Sequence, residues 1–119
     1  MIVNFEEITQ ELSEQEKQLL HILIAGFKKR TINNPIKEPE LCKNLNSYLH
    51  HREIDVAITG ARLRKLVNYI RVNKLLPLIA TSNGYFVSYD SEVIQRQIKS
   101  LEQRARSIKN CADGLRNFL

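Results

Sequence analysis

The sequence has few of the residues that hold a small fold together covalently or through a metal. It contains two cysteines, one methionine and no tryptophan in 119 residues. Cys42 and Cys111 lie far apart in the sequence, so neither begins a zinc-binding pair, and both are expected to be buried free thiols. We therefore expect no disulfide framework, no metal site and no cofactor.

Long apolar runs are also missing. The most apolar stretch, 19–27, contains His21 and is too short to cross a bilayer. The first ten residues lack the basic and apolar regions of a secretory signal. Hydrophobic residues make up 43% of the chain and charged residues 26%, which suits one globular domain. We expect a cytoplasmic protein with no membrane partner.

Asp and Glu are absent from residues 56–89, although five Lys and Arg residues lie there. This span alone carries the formal charge of the whole chain, which is +5. The positive charge is thus concentrated on one stretch. Because carboxylates repel phosphates, an acid-free basic stretch favours a surface that faces nucleic acid.

The spacing of the apolar residues predicts three helices in the first 74 residues. They cover 13–29, 39–50 and 60–74. Ser13 and Glu16 form a capping box at the start of the first helix. Pro39 suits the first turn of the second helix, and Thr59 is a favourable N-cap for the third.

The third predicted helix separates an apolar face from a basic one. Its inward stripe consists of Leu63, Leu66, Val67 and Ile70. The opposite side consists of Ala61, Lys65, Asn68 and Val72, flanked by Arg64 and Arg71 on one edge and by Arg62 and Tyr69 on the other. Arg, Lys and Asn are the side chains that read base edges in the major groove.

A β-hairpin is predicted over 75–89. Asn83 and Gly84 favour a type I′ turn, since both residues tolerate positive φ. That turn would pair Ser82 with Tyr85, Ala80 with Val87 and Leu78 with Tyr89.

The last segment, 91–119, is predicted to be a long helix. An apolar stripe recurs along it at alternating steps of four and three residues, namely Ile94, Ile98, Leu101, Ala105, Ile108 and Ala112. This stripe either pairs with its copy in a second chain, giving a homodimer, or packs back on the first helix.

Three helices followed by a hairpin, with a basic third helix, is the order of a winged helix-turn-helix. The segment ITGARLRKLVNYIRVNKLLPLIATSNGYFVSYD resembles the recognition helix and wing of winged-helix DNA-binding proteins, especially small ones from phages and mobile elements. The long helix with SLEQRARSIKNCADGL is similar to theirs. The resemblance implies DNA binding through the helix of Arg62, Lys65 and Asn68, and no catalytic activity.

The expected fold is therefore mainly α with a small β-hairpin, a winged helix-turn-helix plus a long C-terminal helix. Its parts would be an N-terminal arm over 1–12, a winged-helix domain over 13–90 and a helix over 91–119 that can dimerise. No Gly-rich phosphate loop, nucleophile elbow or visible Cys/His pair predicts an enzyme or a small-molecule substrate.

The function expected is that of a double-stranded DNA-binding protein, a transcriptional regulator of the phage or mobile-element type. Arg62, Lys65 and Asn68 are expected to contact bases, and Arg64, Arg71 and Lys74 to contact phosphates. Further phosphate contacts are expected from Thr59 with the first-turn amides, and from Ser82 and Asn83 at the hairpin tip. The alternative is a winged-helix protein-interaction module or accessory subunit in replication or assembly.

Overall fold

A computed structural model of the chain describes residues 11–119. These residues are mainly helical with one two-stranded antiparallel hairpin, as the sequence predicts. The elements are α1 (Glu14–Phe27), α2 (Glu38–His51), α3 (Gly60–Val72), β1 (Leu78–Thr81), β2 (Gly84–Val87) and α4 (Ser91–Arg116). The expected arm over 1–12 lies outside the described residues except for Glu11 and Leu12. No helix in the described part is long and apolar enough to span a membrane.

The described residues form two compact units, which divide between Ser88 and Tyr89. The first unit contains the apolar core, which the three helices and one face of the hairpin share. Leu63, Leu66 and Ile70 of α3 are fully buried in it, so the predicted inward stripe of this helix is confirmed. Phe27 of α1 meets the ring of Tyr85 edge to face, with centroids 5.7 Å apart.

Both predicted N-caps are present. Ser13 and Glu16 form the capping box: the Ser13 amide donates to Glu16 Oε1 at 2.9 Å, and the Glu16 amide donates to Ser13 Oγ at 3.2 Å. Thr59 Oγ1 accepts a hydrogen bond from the Arg62 amide at 3.1 Å. These are contacts between near neighbours, so the local sequence is enough to specify them.

The hairpin pairs its residues in a different register from the one predicted. Leu78 pairs with Val87 and Ala80 with Tyr85, and Ser82 and Asn83 form the turn. The predicted register is therefore wrong by two residues. Because side chains alternate along a strand, a shift of two leaves each residue on its predicted face.

Gly84 explains this register. Its φ of +123° is one that residues with a side chain rarely adopt, and a Cβ there would lie 2.5 Å from the carbonyl of Ile36. Ile36 forms an antiparallel bridge with Tyr85 through N–H···O bonds of 3.0 and 2.8 Å. Gly84 is thus used for close contact with the segment before α2 and not for the turn.

The third helix ends two residues earlier than predicted. Val72 is its last residue, and Lys74 lies beyond it with a φ of +59°. The amide of Leu75 donates to the carbonyl of Ile70 at 2.9 Å, which closes the helix with a left-handed residue just before the hairpin.

The second unit contains α4, none of whose residues is buried. The helix continues through Gly114 to Arg116. Cys111 lies on it and is exposed, and Cys42 of α2 is partly buried. Both are free thiols as predicted, but the expectation that both are buried is wrong.

Candidate nucleic-acid interface

The side of α3 opposite its apolar stripe is the predicted DNA-contacting surface. We call it the α3 surface and define it by Arg62, Arg64, Lys65 and Asn68. Helix α3 itself contains no acid, and all four side chains are partly buried. The partners of Arg62, Arg64 and Lys65 come from outside this helix.

Lys65 is bonded to a carboxylate of α1. Its Nζ lies 2.8 Å from Glu16 Oε1, and the two side chains are 14% and 6% exposed. Arg62 Nε lies 3.7 Å from the other oxygen of Glu16, and Arg62 Nη1 donates to the carbonyl of Ala57 at 3.1 Å. One carboxylate thus serves two of the three residues predicted to contact bases.

The protonation of Glu16 is shaped by this arrangement. Burial alone would raise the pKa of its carboxyl. The hydrogen bonds from Lys65 and Ser13 and the positive charge of Lys65 outweigh that effect and hold the pKa below its ordinary value. Glu16 is therefore a charged, nearly buried group at neutral pH, and the Glu16–Lys65 pair joins α1 to α3.

Arg64 is paired with a carboxylate of α2. Its Nη1 lies 2.7 Å from Glu38 Oε1, and Glu38 Oε2 accepts a hydrogen bond from the Tyr85 hydroxyl at 3.2 Å. Burial, then the charge of Glu38 and its hydrogen bond, raises the pKa of Tyr85 to about 12. The hydroxyl therefore stays protonated at neutral pH and links the hairpin to α2 through the same carboxylate.

The N-terminus of α3 already has an anion beside it. A Cβ built on Gly60 would lie 2.4 Å from Glu38 Oε1, so the carboxylate lies against the first residue of the helix. Thr59 Oγ1 is engaged as the N-cap. Glu38 thus lies beside the start of α3, near the first-turn amides that are expected to hold a phosphate.

The remaining predicted contact residues lie at the other end of α3 and on the hairpin. Arg71 Nε donates to the carbonyl of Leu78 at 3.0 Å, which fastens the helix to β1. Lys74 is exposed just beyond the helix. Ser82 and Asn83 are exposed at the turn, and the Asn83 amide donates to Thr81 Oγ1 at 3.2 Å.

The absence of acids from residues 56–89 does not make the α3 surface free of carboxylates, because Glu16 and Glu38 reach it from other helices. Lys65 links α3 to α1 through Glu16, and only 14% of its side chain is exposed. Arg62 and Arg64, at 37% and 36%, keep part of their side chains exposed.

The sequence did not predict the hydrogen bonds that the Asn46 side chain forms with the backbone just before α3. Asn46 of α2 accepts from the Ile58 amide at 2.7 Å and donates to the Ile58 carbonyl at 3.1 Å. It fixes the residue before the Thr59 cap. Nothing in the sequence marks Asn46 for this role, because its partner is twelve residues away.

The predicted dimerisation residues form an open stripe on α4. Ile98, Leu101 and Ile108 are 46%, 37% and 49% exposed. Ala105 and Ala112 are exposed as well, and Ile94 is partly buried.

No group of three or more His, Cys, Asp or Glu side chains within residues 11–119 could hold a metal ion. No known family model, curated protein or solved structure matches the chain. A fold alone does not define a function, so the functional argument depends on the side chains of the α3 surface.

Proposed function

We propose that this protein is a winged-helix protein that binds double-stranded DNA through α3 and the hairpin. The element order supports the fold: three helices, a hairpin and a further helix. The bridge between Ile36 and Tyr85 adds a third extended segment beside β2 and anchors the hairpin to the helices. Arg71 of α3 donates a hydrogen bond to the carbonyl of Leu78, which holds the hairpin beside this helix.

The observation that carries the proposal is the position of Arg62 and Arg64. They flank the outer side of an acid-free helix, and each is about one third exposed (37% and 36%). A guanidinium has five N–H donors in a planar fork, and the contacts to Glu16 and Glu38 each involve one nitrogen. The two carboxylates therefore hold the arginines in place while part of each side chain stays exposed, although Nε of Arg64 is itself buried.

The roles within the α3 surface follow from exposure. Arg62 and Arg64 contact phosphates, together with Lys74 beyond the helix end, and Asn68 faces the base edges. Lys65 and Arg71 position the helix and the hairpin. We assign the protein to the regulators on the predicted resemblance of residues 58–90 to the recognition helix and wing of small phage and mobile-element proteins. DNA binding by α3 is the activity that such a regulator requires.

Glu38 offers a sharp test. Replacing it with Gln removes the carboxylate beside Arg64, so an incoming phosphate no longer competes with it. We expect Glu38→Gln to bind a mixed-sequence duplex about three- to tenfold more tightly at low salt, a gain of about 1 kcal/mol. Fluorescence anisotropy with a labelled duplex measures it.

Glu40→Gln is the matched control. Glu40 lies on the same helix, is exposed, and forms no ion pair with any residue between 11 and 119. The Glu40→Gln variant loses the same formal charge as Glu38→Gln, so its DNA affinity reports the effect of net charge alone. Equal affinities for the two variants would mean that Arg64 does not meet phosphate. Arg62→Ala and Arg64→Ala should each weaken binding.

A protein-interaction module is the second candidate. The observation that favours it is the neutralisation of the α3 surface by Glu16 and Glu38, since such ion pairs lower the affinity of the surface for polyphosphate. Absence of duplex binding by the wild-type protein at low salt, in a folded sample, would select this function over DNA binding.

A further inference from the structure

The C-terminal helix carries an apolar stripe that the first unit's function does not use. Helix α4 has 26 residues, and a helix of that length extends about 39 Å. Ile98, Leu101, Ile108 and Leu115 are between 37% and 70% exposed. Aliphatic side chains in a continuous row with this exposure indicate a surface that is covered by a partner.

The spacing of the stripe identifies the kind of partner. Alternating steps of three and four residues are the heptad pattern of a helix that pairs with another helix. The a positions are Ile98, Ala105 and Ala112, and the d positions are Ile94, Leu101, Ile108 and Leu115. The row is therefore asymmetric: two of its three a positions are alanine, and all of its d positions are large.

We propose that α4 forms an antiparallel coiled coil with α4 of a second copy of this chain. This pairing goes beyond DNA binding and does not depend on it. Two features of the helix select the antiparallel orientation over the parallel one, namely the distribution of alanine in the stripe and the charges that flank it.

The alanines disfavour a parallel pair. In that orientation each residue of the stripe meets its own copy, so Ala105 would meet Ala105 and Ala112 would meet Ala112. Two layers of the interface would then contain only methyl groups next to layers of leucine and isoleucine. Layers with so little side-chain volume either leave voids or force the helices closer together at that point. Either outcome loses van der Waals contacts.

An antiparallel pair can match every alanine with a large side chain. If Ile98 lies opposite Leu115 of the second copy, Leu101 lies opposite Ala112, and Ala105 lies opposite Ile108. Each layer then contains a large residue, and the layers with alanine have similar volumes. This register covers the stripe from residue 98 to residue 115 on both helices.

The flanking charges agree with the same register. Glu102 and Lys109 occupy e positions, which face each other in an antiparallel pair, so Glu102 of one copy lies beside Lys109 of the other, twice by symmetry. In a parallel pair, g and e positions face each other, and Arg104 would lie beside Lys109 of the second copy. The antiparallel pair thus gains two attractive contacts where the parallel pair has two repulsive ones.

The antiparallel arrangement has an architectural consequence. The two N-terminal units would attach at opposite ends of the coiled coil. In the register above, the two copies of residue 90 are separated by about 50 Å along the axis, at 1.5 Å per residue. A parallel pair would place both attachment points at the same end.

Charge reversal at Lys109 separates the two orientations in the full-length protein. Lys109→Glu places two glutamates side by side in the antiparallel pair, so the dimer dissociation constant measured by analytical ultracentrifugation should rise about tenfold. In a parallel pair the same change would relieve the Arg104 repulsion and tighten the dimer. Glu102→Lys combined with Lys109→Glu restores the attraction, so this double variant should recover the wild-type constant. Far-UV circular dichroism checks that each variant retains its helix.

Cysteine cross-linking gives an independent readout, in a background with Cys42→Ser and Cys111→Ser. Mixing the single variants L101C and A112C should give a mixed disulfide dimer, because the two positions face each other across the antiparallel pair. A112C alone should not cross-link to itself, since the two copies of residue 112 lie about 16 Å apart, beyond the reach of a disulfide.

Three results would overturn the proposal. They are a monomeric wild-type protein at about 100 μM, a tighter dimer for Lys109→Glu, and efficient self-linking of A112C. None of them bears on whether the α3 surface binds DNA.

Discussion

We expect the loss of the Glu16–Lys65 pair to lower the stability of the protein strongly, because this ion pair is nearly buried and joins two helices that are distant in sequence. Glu16→Gln keeps the shape of the side chain and removes its charge. Lys65, with a side chain that is 14% exposed, is then left without its counter-charge. Arg62, 3.7 Å from the same carboxylate, loses that ion pair too but keeps its hydrogen bond to the Ala57 carbonyl.

The magnitude follows from the geometry. Two unit charges 2.8 Å apart attract by about 6 kcal/mol at an effective dielectric constant of about 20. Desolvation of both groups offsets most of that attraction in the intact pair, but removing one partner leaves the desolvation of the other uncompensated. Because Lys65 keeps some contact with water, we expect Glu16→Gln to lower the free energy of unfolding by about 3 kcal/mol, the lower end for buried pairs.

Urea denaturation at neutral pH, followed by circular dichroism, measures this loss. Glu14→Gln is the matched control: Glu14 is in the same turn of α1, its side chain is 88% exposed, and it pairs with Lys17 at 3.3 Å. That change should cost less than about 0.5 kcal/mol. If Glu16→Gln destabilises the protein no more than Glu14→Gln, the reasoning about the buried pair is refuted.

Three further predictions concern pH and the elements that support α3. The depressed pKa of Glu16 gives stability that is present above the unfolded-state pKa, about 4.5, and is lost as the pH falls through the lower pKa of the folded state. The urea midpoint of Glu16→Gln should therefore fall less than that of the wild type between about pH 6 and pH 3. Gly84→Ala should cost at least about 2 kcal/mol in urea, because φ is +123° and Ile36 leaves no space for a Cβ; a cost under about 0.5 kcal/mol would contradict the close contact. Asn46→Ala removes two hydrogen bonds to Ile58 and should lower the free energy of unfolding by about 2 kcal/mol in urea. An unchanged urea midpoint would mean that these hydrogen bonds do not stabilise the fold.

Local features of the fold could be predicted well from the sequence. The caps at Ser13 and Thr59, the buried stripe of α3 and the two faces of the hairpin all depend on residues within a few positions of one another. Apolar periodicity and capping chemistry act at that range, so the sequence pattern contains the needed information.

Contacts between distant segments could not be predicted in this way. Glu16 and Lys65 are separated by 49 residues, and Glu38 and Arg64 by 26. The acid-free stretch is real in the sequence, but folding brings carboxylates of α1 and α2 against it. A charge count along the chain therefore overestimated the positive charge of the α3 surface.

The hairpin register failed for a related reason. Asn83–Gly84 is a strong local signal for a turn. In the structure, however, the turn is formed by Ser82 and Asn83, and Gly84 begins β2, where Ile36 approaches the backbone. The competing demand comes from a segment 48 positions earlier in the sequence. A tertiary contact thus overrode a local preference, which local pattern rules do not detect.

The most direct test of DNA binding is the salt dependence of duplex affinity for the wild-type protein. If Arg62, Arg64 and Lys74 each meet a phosphate, the plot of log affinity against log salt should have a slope of about −3, and Arg62→Ala should make it shallower by about one. A slope near zero, or no binding at about 50 mM salt by a folded sample, would contradict the account.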